Sequence, residues 1–210
     1  MTVLIIDTCL GACQVGLFDG EQRLAGASEA MQRGHQERLA TMAHEVMAEA
    51  ATPFSKLTRI AVTVGPGSFT GLRVGLAFAK GLHLATGCPL VGIGTLAGLA
   101  ASVGDRGLSA GVIDARRGQV YLQPFRDGRA LREPEATTIE AGLAHLMSLQ
   151  PGGWRLIGPG AALLASPLAE PFELAAPELD ALAKLARSAS TDDEVSPIYL
   201  RAPDAKPMPT

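Results

Sequence analysis

Residues 3–20 read VLIIDTCLGACQVGLFDG and residues 110–128 read AGVIDARRGQVYLQPFRDG, so two parts of the chain repeat one pattern. Each copy is an apolar strand that ends in Ile-Asp, a turn closed by Gly, a second strand that opens with Gln-Val, and an Asp-Gly turn. Because the offset is about half the chain, the repeat predicts two similar halves rather than a solenoid. Hairpins of this kind also recur by chance, which remains the alternative explanation.

The hydrophobic periodicity predicts an α/β fold in which each half contains a mixed sheet flanked by helices. The halves are expected to span residues 1–103 and 104–210, and Pro203–Thr210 is expected to be a mobile tail. Helices are predicted over residues 36–51, 69–86, 96–102, 139–148, 161–165 and 178–189. Strands are predicted over residues 2–6, 13–18, 23–28, 59–64, 90–93, 108–113, 119–125, 129–133 and 154–157.

The composition restricts the class of protein. Hydrophobic residues make up 47% of the 210 residues and aromatic residues only 4%, which favours an aliphatic core in a helix-covered sheet. A net charge of −3 excludes a global positive field that would hold RNA by itself. The three cysteines lack metal-site spacing and include an odd one, as expected in a reducing cytosol. We find no signal-peptide pattern and no apolar stretch long enough for a membrane span, so a cytoplasmic protein is expected.

Two aspartates, Asp7 and Asp114, stand at the same place in the two repeats. A carboxylate at the tip of a buried strand lies at a sheet edge where ligands bind, so a facing pair would suit a nucleotide or phosphate site with a metal ion. The alternative is that each carboxylate caps its own turn. With Thr8 and Ser68, these aspartates form the candidate nucleotide cleft.

The segment GPGSFTGLRVGLAFAKG, residues 65–81, predicts a tight turn followed by a helix with Ser68 as its N-cap. Its first amides could bind an anion, but the segment is not a Walker A loop, since no Gly-Lys-Ser/Thr follows. Gly71, Gly75 and Ala79 lie four residues apart on one face, and glycine inside a helix costs about 0.5–1 kcal/mol relative to Ala. Close approach of another helix, from this chain or from a partner, would offset that cost.

That segment, with residues 5–8 (IIDT), 113–116 (IDAR) and 197–201 (PIYLR), resembles the TsaB (YeaZ) family from Val3 to Arg201. The resemblance implies an actin-like ATPase (ASKHA) fold of two ribonuclease-H-like lobes. It implies a bacterial cytosolic subunit in the synthesis of N6-threonylcarbamoyladenosine at position 37 of tRNAs that read ANN codons. The implied partners are the catalytic paralogue TsaD, the ATPase TsaE and, through the complex, tRNA. A homodimer is expected when the chain is alone.

The resemblance also implies that the chain is not itself the catalyst. The paralogue holds its metal with a His-x-x-x-His pair on the first helix, and two histidines four apart can grip one ion. Here His35 is followed by Leu39 at that position, so we expect no bound metal. The paralogue's Gly-rich adenosine motif is reduced to residues 158–161 (GPGA). We expect no cofactor, apart from ATP or ADP bound weakly or shared with a partner.

The resulting hypothesis is a noncatalytic dimerisation and scaffold subunit that stabilises TsaD and helps to recruit TsaE. Rival hypotheses are a nucleotide hydrolase or sugar-kinase-like enzyme that uses Asp7 and Asp114, a metalloprotease, and an independent homodimeric adaptor. The sequence does not separate homodimer from heterodimer use of the glycine-bearing helix. The predicted partner interface comprises Gly67, Gly71, Val74, Gly75, Phe78 and Ala79, with Leu39, Met42 and Val46 from the preceding helix.

Overall fold

The first repeat builds a five-stranded sheet in the computed structural model, which describes residues 1–191 and 194–201. Its strands are β1 (Thr2–Asp7), β2 (Ala12–Asp19), β3 (Gln22–Ala30), β4 (Arg59–Thr63) and β5 (Leu90–Ile93). The order across the sheet is β3-β2-β1-β4-β5. The first three strands form an antiparallel meander, and β4 and β5 continue the sheet parallel to β1.

Helices cover this sheet. They are α1 (His35–Glu49), α2 (Phe69–Thr86) and α3 (Thr95–Ala101), with a single 3₁₀ turn at Phe54–Lys56. The apolar residues of α1 and α2 pack with alternate residues of β1, such as Leu4 and Ile6, in the largest core cluster. Because successive side chains of a strand point to opposite faces, Val3 and Ile5 of β1 lie on the other face of the sheet. That apolar face must be covered by a further element of the chain.

The second repeat builds a sheet with the same order of elements. Its strands are β6 (Leu108–Arg116), β7 (Gln119–Arg126), β8 (Arg129–Ala130), β9 (Glu135–Thr138), β10 (Trp154–Ile157) and β11 (Ala169–Phe172). The order is β11-β10-β6-β7-β8, with β9 also paired to β7. The helix α4 (Ile139–Leu149) follows the meander as α1 does in the first lobe, and β10 is parallel to β6 as β4 is to β1. This correspondence supports the duplication that the repeat predicts.

Three features of the second lobe differ from the sequence prediction. The strand expected over residues 129–133 is instead the two short strands β8 and β9. The edge strand β11, of sequence AEPF, was not predicted, because its Pro171 and its mostly exposed residues lack a strand pattern. The counterpart of α2 is reduced to a 3₁₀ turn over Ala161–Leu164.

The predicted boundary at residue 103 does not describe the packing of the helices, because a helix from each half packs on the sheet of the other half. Leu96 and Leu99 of α3 pack with Ile113 and Ile157 of the second sheet. The last helix, α5 (Leu179–Ser188), returns to the first sheet and covers the face that carries Val3 and Ile5. The predicted tail, Pro203–Thr210, lies outside the described residues. Within the described part of the chain, no helix has the length and apolar character needed to span a membrane.

Candidate docking helix and interlobe cleft

The first turn of α2 is held against the residues that follow β1. Ser68 Oγ accepts a hydrogen bond from the Gly71 N–H at 3.3 Å, so Ser68 is the N-cap. The Ser68 N–H donates to the Cys9 carbonyl oxygen at 2.7 Å. Thr8 Oγ1 donates to the Gly71 carbonyl oxygen, also at 2.7 Å. The start of the helix is therefore positioned by β1 of its own lobe.

The small-residue strip of α2 faces this same contact. Gly71, Gly75 and Ala79 are buried. An added Cβ at Gly71 would overlap the Thr8 carbonyl oxygen, and one at Gly75 would overlap Thr8 Oγ1 and lie 3.6 Å from Val62 Cγ2. The absence of a side chain lets the helix lie against the end of β1 and against β4. The prediction that this strip meets a partner is wrong, because it packs inside the chain.

Half of the other six predicted interface residues are also interior. Leu39, Met42 and Val46 are at most 1% exposed and belong to the first lobe's core. An added Cβ at Gly67 would overlap the Cys9 carbonyl oxygen. Partial exposure remains at Gly67, Val74 and Phe78, and the last two pack against the core. A partner cannot touch the fully buried residues without unfolding the lobe, so these assignments are corrected.

The exposed side of α2 is the surface that sequence reasoning missed. We define the outer face of α2 as Phe69, Arg73, Ala77, Lys80, Gly81 and Leu84, all of which are exposed. Phe69 is 46% exposed and Leu84 is 82% exposed, which is unusual for large apolar side chains. A usable signal was present in the sequence, since Arg73 and Lys80 mark one helix face as the face away from the core.

Asp7 and Asp114 make the same local turn. The Cys9 N–H donates to Asp7 Oδ1 at 3.1 Å, and the Arg116 N–H donates to Asp114 Oδ1 at 2.7 Å. In both cases the donor lies two residues beyond the aspartate, at the end of the first strand of a meander. The equivalence of the two positions follows from this geometry and from the matching sheet order.

The surroundings of the two carboxylates differ. Asp7 is fully buried, and it also accepts hydrogen bonds from Thr63 Oγ1 at 2.6 Å and from Gln14 Nε2 at 3.0 Å. Burial raises the pKa of the Asp7 carboxyl above its ordinary value, although these hydrogen bonds offset part of the effect. Asp114 is partly exposed and pairs with the Arg116 guanidinium at 3.1 Å. Asp7 is therefore a structural residue, whereas Asp114 is accessible.

A cleft of about 620 Å³ separates the lobes beside these turns. Ser68 and Gln32 line it from the first lobe, and Asp114, Arg116 and Tyr121 line it from the second. Asp7 and Thr8 do not line the cleft, because both side chains are buried: Thr8 lies against the start of α2, and Asp7 lies against Gln14 and Thr63. The candidate nucleotide cleft is thus corrected to Ser68 and Asp114, and a pair of facing carboxylates is absent from it.

We expect the substitution Asp7→Asn to remove a pH dependence of stability in the acid range. Because its pKa is raised by folding, the folded chain keeps this proton at pH values where the unfolded chain has released it. Asp7 therefore makes wild-type stability fall as pH rises from the ordinary pKa through the raised one. Urea titrations at a series of pH values give the unfolding free energy of the wild type and of the variant. The difference, wild type minus variant, should fall as pH rises across this range. A difference that grows with pH would instead show that folding lowers the pKa of Asp7, which would contradict this prediction.

The buried cysteines are not nucleophiles. Cys9 and Cys13 are fully buried. Burial raises the pKa of the Cys9 thiol to about 12 and that of the Cys13 thiol to about 11. A thiol is reactive as its thiolate, so both are poor nucleophiles near neutral pH. They serve as small packing residues of the strand and turn.

Comparisons with known proteins agree with this architecture. Residues 28–156 match the family model described as TsaD: tRNA N6-adenosine threonylcarbamoyltransferase. The Escherichia coli tRNA threonylcarbamoyladenosine biosynthesis protein TsaB is 31% identical over 76% of this chain and 72% of its own length. The chain belongs to the TsaB (YeaZ) family.

Further relatives support both the family and the fold. YeaZ from Pseudomonas aeruginosa is 27% identical and superposes with a TM-score of 0.81, covering 95% of this chain and 99% of that one. An uncharacterised protein of Mycobacterium leprae is 36% identical over 98% of this chain, which spans 56% of that protein's length. The ROK hexokinase of Thermus thermophilus, 16% identical, shares the fold with a TM-score of 0.55 over 90% of this chain and 98% of that one. The predicted actin-like fold is confirmed.

Within the TsaB family fold, α1 carries one histidine toward the interior. His35 is 5% exposed, and its Nε2 has no hydrogen-bond partner. Leu39, where the catalytic paralogue would place its second histidine, is 1% exposed and packs in the core. Across residues 1–191 and 194–201, no three His, Cys, Asp or Glu side chains come together as ligands would.

The remnant glycine motif of the second lobe has a packing explanation. Gly158 has φ +126°, and an added Cβ there would overlap the Val112 carbonyl oxygen. An added Cβ at Gly160 would lie 2.7 Å from the Asp114 nitrogen. Both glycines let the turn after β10 lie directly on β6. Close packing of this turn on β6 therefore accounts for the two glycines.

Proposed function

We propose that this chain is a noncatalytic subunit of the complex that transfers a threonylcarbamoyl group to N6 of adenosine 37 in ANN-decoding tRNAs. Family membership supports the pathway, because the named relatives are tRNA threonylcarbamoyladenosine biosynthesis proteins. The observation that carries the noncatalytic role is Leu39. A core leucine occupies the position of the second metal-binding histidine, so the paralogue's metal pair has no counterpart on α1.

In this proposal the chain acts by docking on the catalytic paralogue TsaD. The outer face of α2 is the docking surface, because Phe69, Ala77 and Leu84 present apolar area beside the charges of Arg73 and Lys80. An apolar centre with a polar rim is the usual composition of a protein interface. The chain thereby stabilises TsaD and helps to form the surface where TsaE and tRNA engage. A homodimer through the same face forms when TsaD is absent.

The rival enzyme hypothesis loses its main support with Asp7. A hydrolase that used Asp7 and Asp114 together would need both carboxylates in the cleft, yet Asp7 is buried and occupied by three donors. If ATP or ADP binds, Ser68 and Asp114 are the predicted residues that are accessible to it in the cleft, beside Gln32, Arg116 and Tyr121, and the partner completes the site.

The proposal is tested by reconstitution with purified TsaD, TsaE, tRNA, ATP and a preformed activated threonylcarbamoyl donor, with and without this chain. We expect threonylcarbamoyladenosine to form only when the chain is present, and the chain to co-purify with TsaD. Elemental analysis of the chain alone should find no stoichiometric zinc or iron. Full tRNA modification without the chain, or metal-dependent turnover by the isolated chain, would contradict the proposal.

A further inference from the structure

The segment Glu194–Arg201 crosses the first lobe and reaches the second. Its Ile198 N–H donates to the Val64 carbonyl oxygen at 2.7 Å, which extends the end of β4. Val195 and Ile198 pack against the core beneath α1 and α2. An added Cβ at Gly65 would lie 3.1 Å from the Ile198 carbonyl oxygen, so this glycine leaves room for the segment. The segment is thus seated on the first lobe.

The next residue of the segment joins the first turn of α2. The rings of Tyr199 and Phe69 have centroids 5.6 Å apart. Arg73 lies over the Phe69 ring, with its guanidinium carbon 3.7 Å from the centroid, and its Nε donates to Tyr199 Oη at 3.2 Å. Phe69 and Arg73 belong to the outer face of α2, so Tyr199 helps to set the shape of that face.

The end of the segment contacts the second lobe. Arg201 Nη1 donates to the Ala115 carbonyl oxygen at 2.9 Å. Ala115 lies near the end of β6, beside the β6–β7 turn, and lines one wall of the cleft opposite Ser68 at the start of α2. Arg116 and Arg117 at this turn adopt left-handed backbone conformations, with φ of 64° and 57°. One short segment therefore connects the outer face of α2 to the far wall of the cleft.

We propose that Glu194–Arg201 is a strap that couples the separation of the lobes to the docking face on α2. Movement of the β6–β7 turn away from Ser68 pulls on Arg201. Because Ile198 is anchored to β4, the strain falls on Tyr199 and on its contacts with Phe69 and Arg73. A partner that docks on the outer face of α2 thereby favours one lobe separation. Because such coupling is reciprocal, a ligand in the cleft changes the affinity for the partner by the same factor as the partner changes the affinity for the ligand. The identity of this partner as TsaD rests on the proposed function.

The test uses the full chain with Arg201→Ala and measures amide hydrogen exchange with and without TsaD. The substitution removes the hydrogen bond from Arg201 to the Ala115 carbonyl oxygen in the second lobe. We expect exchange to rise about threefold or more both in the β6–β7 turn and in the first turn of α2, which Arg201 does not touch in the described contacts. Affinity for TsaD should fall by a similar factor. Arg187→Ala is the matched control, since its guanidinium donates to the Gly20 carbonyl oxygen within the first lobe. It should leave α2 unchanged.

Unchanged exchange in the first turn of α2 after Arg201→Ala would overturn the strap. Tyr199→Ala provides a second test. It leaves Arg201 unchanged and should raise amide exchange in the β6–β7 turn. Tyr199→Phe keeps the aromatic ring and should therefore retain most of the coupling. Exchange in the unbound chain tests the strap independently of TsaD. If the wild-type chain fails to bind TsaD while exchange still couples the two sites, the proposed partner is wrong and the strap stands.

Discussion

The substitution Gly71→Ala is expected to destabilise the chain by about 2 kcal/mol or more. Its Cβ would overlap the Thr8 carbonyl oxygen, and the Thr8 Oγ1 bond to the Gly71 carbonyl oxygen fixes the helix where the overlap occurs. The Thr8 carbonyl oxygen belongs to the backbone and Thr8 Oγ1 is held by its hydrogen bond. The overlap can therefore be relieved only if α2 moves away from the end of β1. Overpacking of this kind costs about 1–3 kcal/mol or more, which exceeds the gain of about 1 kcal/mol from replacing a helical glycine. Urea or thermal denaturation measures the loss.

Gly81→Ala is the matched control on the same helix. An added Cβ at Gly81 meets nothing within 4 Å, and the residue is exposed. The same substitution should therefore stabilise the chain by about 0.5–1 kcal/mol through helix propensity alone. A Gly71→Ala chain as stable as wild type would show that the strip of α2 is not packed on β1, and it would revive the earlier assignment of that strip to a partner.

The substitution Ala77→Arg is expected to weaken binding to TsaD about 30-fold or more, while the unfolding free energy stays near that of the wild type. Ala77 lies in the middle of the outer face of α2 and is exposed. A long charged side chain at the centre of an interface keeps the two surfaces apart and buries a charge, and central positions cost about 2 kcal/mol or more when disrupted. Isothermal titration calorimetry with purified TsaD gives the affinity, and thermal denaturation gives the stability.

Ala162→Arg provides the comparison, since Ala162 is an exposed alanine in the second lobe, away from α2. It adds the same side chain and charge, so nonspecific effects of charge on binding appear in both variants. We expect it to leave the affinity for TsaD unchanged. Equal loss of affinity in both variants, or none in Ala77→Arg, would contradict the placement of the docking surface.

The sequence was most informative where local signals act alone. The bounds of α2 were predicted as observed, because Ser68 is a strong N-cap and Gly87 ends the helix with φ +69°. The repeat predicted the two meanders. The candidate site was harder, since α2 carries small residues on two faces: Gly71 and Gly75 on one, Ala77 and Gly81 on the other. Spacing alone cannot tell which pair faces β1.

The sequence by itself determined the two-fold repeat, the helices and most strands of each lobe, and the loss of the second histidine at Leu39. These depend on periodicity, caps and residue identity, which neighbouring residues specify. Only the tertiary structure decided that Gly71 lies against Thr8, that Asp7 is buried while Asp114 faces the cleft, and that α3 and α5 exchange lobes. Each of these depends on residues distant in the chain coming together, and each sheet face is covered by whichever apolar helix reaches it.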